Sequence, residues 1–420
     1  YKMTELRRNT EWSGRIKKLG EIANWKGEYG IGASASEYIE GKPRYLRITD
    51  IGDGCKLLFN DIKGLDEKEY EKYILKEGDI VFARTGNTTG KGYVYNKEHG
   101  ELVYAGFLIK YSVDNNIANH NFIKYVIQSK RYWDWVNIMS TRSGQPGINS
   151  NEYSSFIIQL PPLEEQEKIA SILSTVDEQI DNVDAIIEKN KELKKGLMQT
   201  LLTKGIGHTK FKKTEIGEIP EEWTLVKIGD VAKFQAGYAF KSSDYVDNGV
   251  KLVKITNVQQ KDLLWNDTDF LPEEFLNKYK EYSLEINDVI IAMTRPIISS
   301  GIKICKVKKE DTPALLNQRV GRFITSENVN NKYLYQYCFS NYFINKVNEL
   351  CSTTGQPNIS SNQLESIMIS LPSTEEQEKI GSILLNVDEK MEEYENKKQR
   401  LEELKKGLMQ QLLTGNIRII

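Results

Sequence analysis

Glu164-Glu-Gln-Glu-Lys-Ile169 recurs as Glu375-Glu-Gln-Glu-Lys-Ile380, and Leu193-Lys-Lys-Gly-Leu-Met-Gln199 recurs as Leu404-Lys-Lys-Gly-Leu-Met-Gln410. The two repeats share one offset, 211 residues from Glu164 to Glu375. Ungapped, 23 of 40 positions agree between Glu164–Thr203 and Glu375–Thr414, far more than two unrelated amphipathic helices share. Solenoid repeats have periods of about 20–50 residues, so this is a duplicated half rather than a solenoid.

Each repeated segment reads as one long helix. Pro161-Pro162 and Leu371-Pro372 mark the starts, and acidic first turns (Glu164, Glu165, Glu167; Glu375, Glu376, Glu378) suit the positive end of a helix dipole. Apolar residues recur at steps of three and four: Ile169, Ile172, Val176, Ile180, Val183 and Ile187, then Leu193, Leu197 and Leu201. The second set is Ile380, Ile383, Val387, Met391, Tyr394, Leu401, Leu404, Leu408 and Leu412. That is a coiled-coil stripe with no proline inside it. Forty helical residues span about 60 Å. If each preceding segment is a compact domain, the second helix can bury its stripe against the first only by returning antiparallel. The spacing thus predicts an α+β protein: two similar mixed α/β domains separated by a long antiparallel two-helix coiled coil, with approximate two-fold symmetry.

Upstream of the helices the halves diverge, yet echoes persist. Tyr45-Leu-Arg-Ile-Thr-Asp-Ile51 resembles Leu252-Val-Lys-Ile-Thr-Asn-Val258, and Ser143-Gly-Gln-Pro-Gly-Ile-Asn-Ser150 resembles Thr354-Gly-Gln-Pro-Asn-Ile-Ser-Ser361. Short β-type runs punctuated by Gly, Asn and Asp, such as Asp79–Ala83 and Asp288–Ala292, alternate with one helical stretch per half, at 120–138 and 331–350. The divisions expected are domain one at 1–160, the first long helix at 161–206, domain two at 207–371 and the second long helix at 372–420.

The 420 residues have 39% hydrophobic and 28% charged side chains and a net charge of −2, an ordinary globular composition. No apolar stretch approaches the roughly 18–20 residues of a membrane span. Four scattered cysteines without CxxC spacing and three dispersed histidines argue against a zinc site, a disulfide framework or His-based acid–base catalysis, and favour a reducing cytosol. Residues 163–203 carry 5 basic against 9 acidic side chains, whereas Lys204–Lys213 holds four lysines and no acid, a local patch suited to phosphate.

No catalytic pattern survives scrutiny. Gly86-Asn-Thr-Thr-Gly-Lys-Gly92 resembles a phosphate-binding loop but is one residue short between its glycines and lacks the Ser/Thr after Lys91. Gly30-Ile-Gly32 is a lone GxG. An Asn/Asp-Pro-Pro-Tyr methyltransferase motif, HExxH and GxSxG are all missing from the sequence. We therefore expect a non-catalytic protein with no metal and no cofactor.

What remains is polar loops able to read bases. Arg84, Thr85, Asn87, Thr88 and Lys91 sit on a glycine frame, and the loop at the same place in the second half carries Arg295, Ser299 and Ser300. Arg142 and Gln145 match Thr353 and Gln356, and Gln318 and Arg319 add a further set. Arg reads guanine and Asn or Gln reads adenine through paired hydrogen bonds, while Lys and Ser/Thr suit phosphates. Any single loop of this kind is ordinarily a polar turn. Matched loops that differ on a shared frame strengthen the recognition reading.

With the repeated Gly-Gln-Pro, Glu-Glu-Gln-Glu-Lys-Ile and Leu-Lys-Lys-Gly-Leu-Met-Gln segments, and with Thr214-Glu-Ile-Gly-Glu-Ile-Pro-Glu-Glu-Trp223 opening the second half, the chain resembles the specificity (S) subunit of type I restriction–modification systems over essentially its full length. The resemblance implies two target-recognition domains, each reading one half of a gapped target in double-stranded DNA. It implies helices that set the gap and dock two methyltransferase (M) subunits, with restriction (R) subunits joining through the complex. Adenine methylation and ATP-driven cleavage would belong to those partners, and the location would be cytoplasmic. Two other classes stay open: a coiled-coil scaffold or solitary DNA-binding protein without a methyltransferase partner, and a nucleotide-dependent enzyme using the Lys91 loop.

Overall fold

The protein is described from a computed structural model covering residues 7–8, 15–23, 26–141, 146–352 and 357–419. The chain forms two compact units, Tyr1–Asp184 with Asn396–Ile420, and Ala185–Glu395. The two long helices, Leu163–Leu201 and Thr374–Leu412, have 39 residues each, and each helix contributes one part to each unit.

In the first unit a four-stranded antiparallel sheet runs Glu28–Tyr29, Leu108–Ser112, Asp79–Ala83, Gly92–Val94. Asp79–Ala83 is buried at every position, as the apolar run Ile-Val-Phe-Ala requires of a strand covered on both faces. Phe82 stacks on Tyr153 at 4.8 Å and packs with Tyr111 and Tyr132. A parallel pair, Arg44–Leu46 with Leu102–Tyr104, extends the β structure, and Arg15–Lys18 pairs with Ile157–Leu160 at the root of the long helix.

The second unit repeats this plan. Its sheet order is Ala232–Ala236, Val320–Thr325, Val289–Ala292, Ile304–Lys306. Val250–Val253 pairs in parallel with Ala314–Leu316, and Thr224–Lys227 pairs with Met368–Leu371. Both halves therefore share one scaffold.

The single helix expected in each domain is two. His120–Val126 and Lys130–Ser140 are separated at Ser129, whose side chain caps the second helix by accepting from Tyr132 N. Asn331–Tyr337 and Asn341–Ser352 break likewise at Ser340, which accepts from Phe343 N. A serine that can satisfy a free helix-end amide ends the run that hydrophobic periodicity alone would continue.

Within each unit the two helix segments run antiparallel. In the first unit Asp184 pairs with Lys398 and Asp177 with Lys405, both at 2.7 Å, and Glu165 meets Arg418 at 2.8 Å. In the second unit Lys194 reaches Asp388 at 2.5 Å, and Leu201 shares a core with Ile380 and Leu384. The buried seam follows Ile169, Leu173, Val176, Ile180, Val183 and Ile187, and Ile380, Leu384, Val387 and Met391, alternating steps of four and three as a heptad requires. Leu401 is also buried, and Tyr394 and Leu408 are half-buried. Ile172 and Ile383 lie one position off the seam and are 36% and 38% exposed. A three-then-four reading from Ile169 and Ile380 satisfies the spacing as well as four-then-three, and packing selects Leu173 and Leu384 instead.

The repeated Glu-Glu-Gln-Glu motif also has a structural role. Gln166 accepts from Asn119 N and donates to Pro161 O, while Gln377 accepts from Asn330 N and donates to Pro372 O. Each buried amide thus ties a long helix to the domain before it, and burial without these partners would be costly. Among the described residues no helix is long and apolar enough to cross a membrane.

Candidate nucleic-acid interface

Three segments converge at one end of the sheet in the first unit. The loop leaving Asp79–Ala83 is joined to the turn before Leu108 by Arg84 N donating to Phe107 O at 3.1 Å. The segment after the Gly-Gln-Pro motif closes from the other side. Ile148 N donates to Arg84 O at 2.9 Å, Gly86 N donates to Pro146 O at 3.1 Å, and Thr85 bridges Gly147. In the second unit Met293 N donates to Arg319 O, Ile359 N to Met293 O and Arg295 N to Pro357 O, at 2.9, 2.9 and 2.7 Å, and Thr294 bridges Asn358. These bonds set the correspondence: Arg84 with Met293, Thr85 with Thr294, Gly86 with Arg295 and Phe107 with Arg319.

The frame is specified by buried chemistry. Tyr153 donates to Ala83 O and accepts from Gly90 N, and Tyr132 donates to Gly90 O. Burial pushes both phenols well above their usual range, so both remain neutral donors. Gly30 and Gly237 also correspond: a Cβ at Gly30 would collide with the carbonyl oxygens of Tyr104 and Ala105, and one at Gly237 with those of Leu316 and Asn317. The Gly30-Ile-Gly32 motif is thus a close backbone approach rather than a phosphate cradle.

On this frame the residues singled out in the sequence are placed as follows. Arg84 stacks its guanidinium over Tyr29 at 4.8 Å, a cation–π contact that orients the fork. Thr85 and Thr88 are half-buried and Asn87 is exposed. Lys91 pairs with Asp53 at 2.8 Å. The amides of Gly86, Thr89, Gly90 and Lys91 donate to Pro146 O, Gly86 O, Ala83 O and Thr88 O, which leaves these four committed within the protein rather than to a nucleotide phosphate. Arg295, Ser299, Ser300, Gln318 and Arg319 are exposed. Arg319 Nη1 donates to Thr294 Oγ1 at 3.3 Å, joining two of the expected sets. Arg295 has φ +47 where its counterpart Gly86 has φ +76, so an arginine occupies a left-handed position that favours glycine. Ser299 and Ser300 form the tip of a hairpin between Ile297–Ile298 and Gly301–Ile302. Arg142, Gln145, Thr353 and Gln356 lie outside the described residues.

Sequence reasoning missed Tyr29 and Phe107. Both are aromatic and exposed, and an aromatic at a strand end beside an arginine loop was the available signal. The basic patch 204–213 is built into the root of the second unit. Glu376 accepts from Ile206 N and from Trp223 Nε1 and meets His208 Nε2, at 2.8, 3.0 and 3.1 Å, and Lys212 donates to Glu221 O. Lys204, Lys210 and Lys213 are exposed. Among the described residues no group of three or more His, Cys, Asp or Glu is gathered to hold a metal.

Two α+β domains of one scaffold thus each present a different set of residues at the same sheet end, and each is rooted on the long helices. The family described as "Type I restriction modification DNA specificity domain" matches residues 9–192 and 220–405, and the chain belongs to this family. It is 35% identical over 419 residues to the type I restriction enzyme MjaVIII specificity subunit of Methanocaldococcus jannaschii, covering 99% of this chain and 95% of the relative. It is 29% identical over 364 residues to the putative MjaX specificity subunit of the same organism, covering 85% and 83%. The crystal structure of a type I restriction-modification S subunit from M. genitalium shares the fold, with a TM-score of 0.66 at 15% identity over 98% of this chain and 99% of that one.

Proposed function

We propose that the chain is the DNA-reading, non-catalytic subunit of a type I restriction–modification complex, with domains 1–160 and 207–371 each reading one half of a gapped duplex target. The observation that carries this reading is the shared frame with divergent residues: Arg84, Gly86 and Phe107 correspond to Met293, Arg295 and Arg319, of which Phe107, Arg295 and Arg319 are exposed. Folding requires the frame and leaves the exposed residues free to differ, as two half-sites of different sequence demand. Arg84, Arg295, Arg319, Asn87 and Gln318 would contact base edges. Thr85, Ser299, Ser300 and Lys91 would contact phosphates or base edges, whereas the Thr88 hydroxyl is buried, and Arg142, Gln145, Thr353 and Gln356 belong to the same sets.

The long helices, 161–206 and 372–420, would space the half-sites and carry two methyltransferase subunits. This is supported by apolar residues that the repeat keeps outside the seam. Leu193 and Leu404 are 52% and 50% exposed, and Gly196 and Gly407 have open space where a Cβ would sit. Identical exposed surfaces in both repeats suit two copies of one partner. Restriction subunits would join through that complex, which would act on DNA in the cytoplasm.

Exchanging residues 1–160 for the first domain of a foreign relative, in the assembled complex, tests the reading. The expected result is a methylated motif altered in one half only. Change in both halves, or in neither, contradicts it.

A further inference from the structure

Phe107 is a large apolar side chain that folding does not need. It is 59% exposed at the turn that joins Leu102–Tyr104 to Leu108–Ser112. Its backbone is nevertheless fixed. Its carbonyl accepts from Arg84 N, Gly106 N donates to Ile31 O at 2.8 Å, and Leu108 N donates to Ala105 O at 2.8 Å. It is thus held at the same rigid sheet end as Arg84, whose guanidinium lies on Tyr29. The position matching it in the second domain holds Arg319. One backbone position therefore carries a phenyl ring in one domain and a guanidinium in the other.

A phenyl ring makes no hydrogen bond, so it can distinguish base pairs in the major groove only through apolar contact, and the apolar group displayed there is the C5-methyl of thymine. We propose that Phe107 is a specificity-determining residue of the first domain that contacts a thymine methyl in its half-site, at the place where the second domain uses Arg319. This inference rests on the reading of the first domain as a DNA-recognition domain.

Uracil differs from thymine only by the missing methyl, so it isolates the contact. The methyltransferase complex containing this subunit is used to select duplexes from a random pool, and each thymine of the selected target is replaced singly by uracil. One replacement in the first half-site is expected to weaken binding by about fourfold, the equivalent of one buried methyl group at ~0.8 kcal/mol. In the Phe107→Ala complex that penalty disappears, while the second half-site keeps its pattern. Phe107→Arg moves the preference at that base pair toward guanine. A uracil penalty that persists in Phe107→Ala overturns the proposal, as does uniform weakening in Phe107→Ala with no uracil-sensitive thymine. Failure of the wild-type complex to select any gapped duplex overturns the underlying reading instead. Unchanged melting of Phe107→Ala separates lost contact from lost fold, because this side chain lies outside the core.

Discussion

Replacing Asp388 with alanine tests the packing argument at its most heavily shared side chain. Its carboxylate receives Lys194 Nζ at 2.5 Å, Lys261 Nζ at 2.7 Å and Gln336 Nε2 at 2.8 Å. It thereby joins both long-helix segments of the second unit to that unit's recognition domain. Asp177 does the same in the first unit, with Lys405 at 2.7 Å and Tyr125 at 2.9 Å. The Lys194 side chain is only 9% exposed and burial already lowers its amine to about 8 against the pull of Asp388, so deleting Asp388 leaves a buried lysine that must stay unpaired or give up its proton. Breaking such a pair costs about 3–5 kcal/mol. At roughly 2–4 °C per kcal/mol for a unit of this size, the midpoint should fall by about 6–20 °C. Urea denaturation and calorimetry read the effect directly. Lys194→Met with Asp388→Leu should recover part of the loss, since an apolar pair of similar volume replaces the buried Lys194–Asp388 pair, while Lys261 and the buried Gln336 amide still lose their partner. A cost below about 1 kcal/mol for Asp388→Ala would refute the reasoning.

The same group gives a pH dependence. Burial pushes the Asp388 carboxyl up, but Lys194 and Lys261 more than offset this and hold it below its ordinary value of 3.8. A depressed carboxylate stabilises the fold above its unfolded pKa and loses that contribution as pH falls through the folded value. Wild-type stability should therefore decline below about pH 4 more steeply than that of Asp388→Asn. Parallel acid titrations of the two proteins would contradict this. Arg319→Ala should relax one base position of the second half-site by about 1–3 kcal/mol if Arg319 reads a guanine, measured by competition among single-base variants; equal weakening across all sequences would mark a phosphate contact. Arg295→Gly should raise stability by up to about 1 kcal/mol by releasing the left-handed backbone while reducing discrimination in the second half-site. Denaturation and competition binding check both, and a loss of stability contradicts the strain argument.

The duplication, the two long helices and the antiparallel pairing of their segments were legible because periodicity and repetition report directly on buried stripes. The choice of Leu173 over Ile172 was not, because two heptad readings fit the same residues and only the facing side chains decide. The domain helices looked continuous because apolar spacing runs through Ser129 and Ser340, whose capping hydroxyls act on backbone amides that periodicity does not register. At the interface, matched polar loops were visible, but their convergence was not. It depends on backbone bonds from Gly86 to Pro146 and from Arg295 to Pro357, which join segments about sixty residues apart. Those bonds also give Pro146 and Pro357 a framing role. Tyr29 and Phe107 escaped notice because exposure, not residue type, sets them apart from the buried aromatics around them.

The most direct test of the central claim is a map of N6-methyladenine across the source genome with this gene intact, deleted and restored. The account predicts a two-part motif with a fixed gap that disappears on deletion and returns on restoration. A map that does not depend on the gene, or dependence of a single uninterrupted motif, would contradict it.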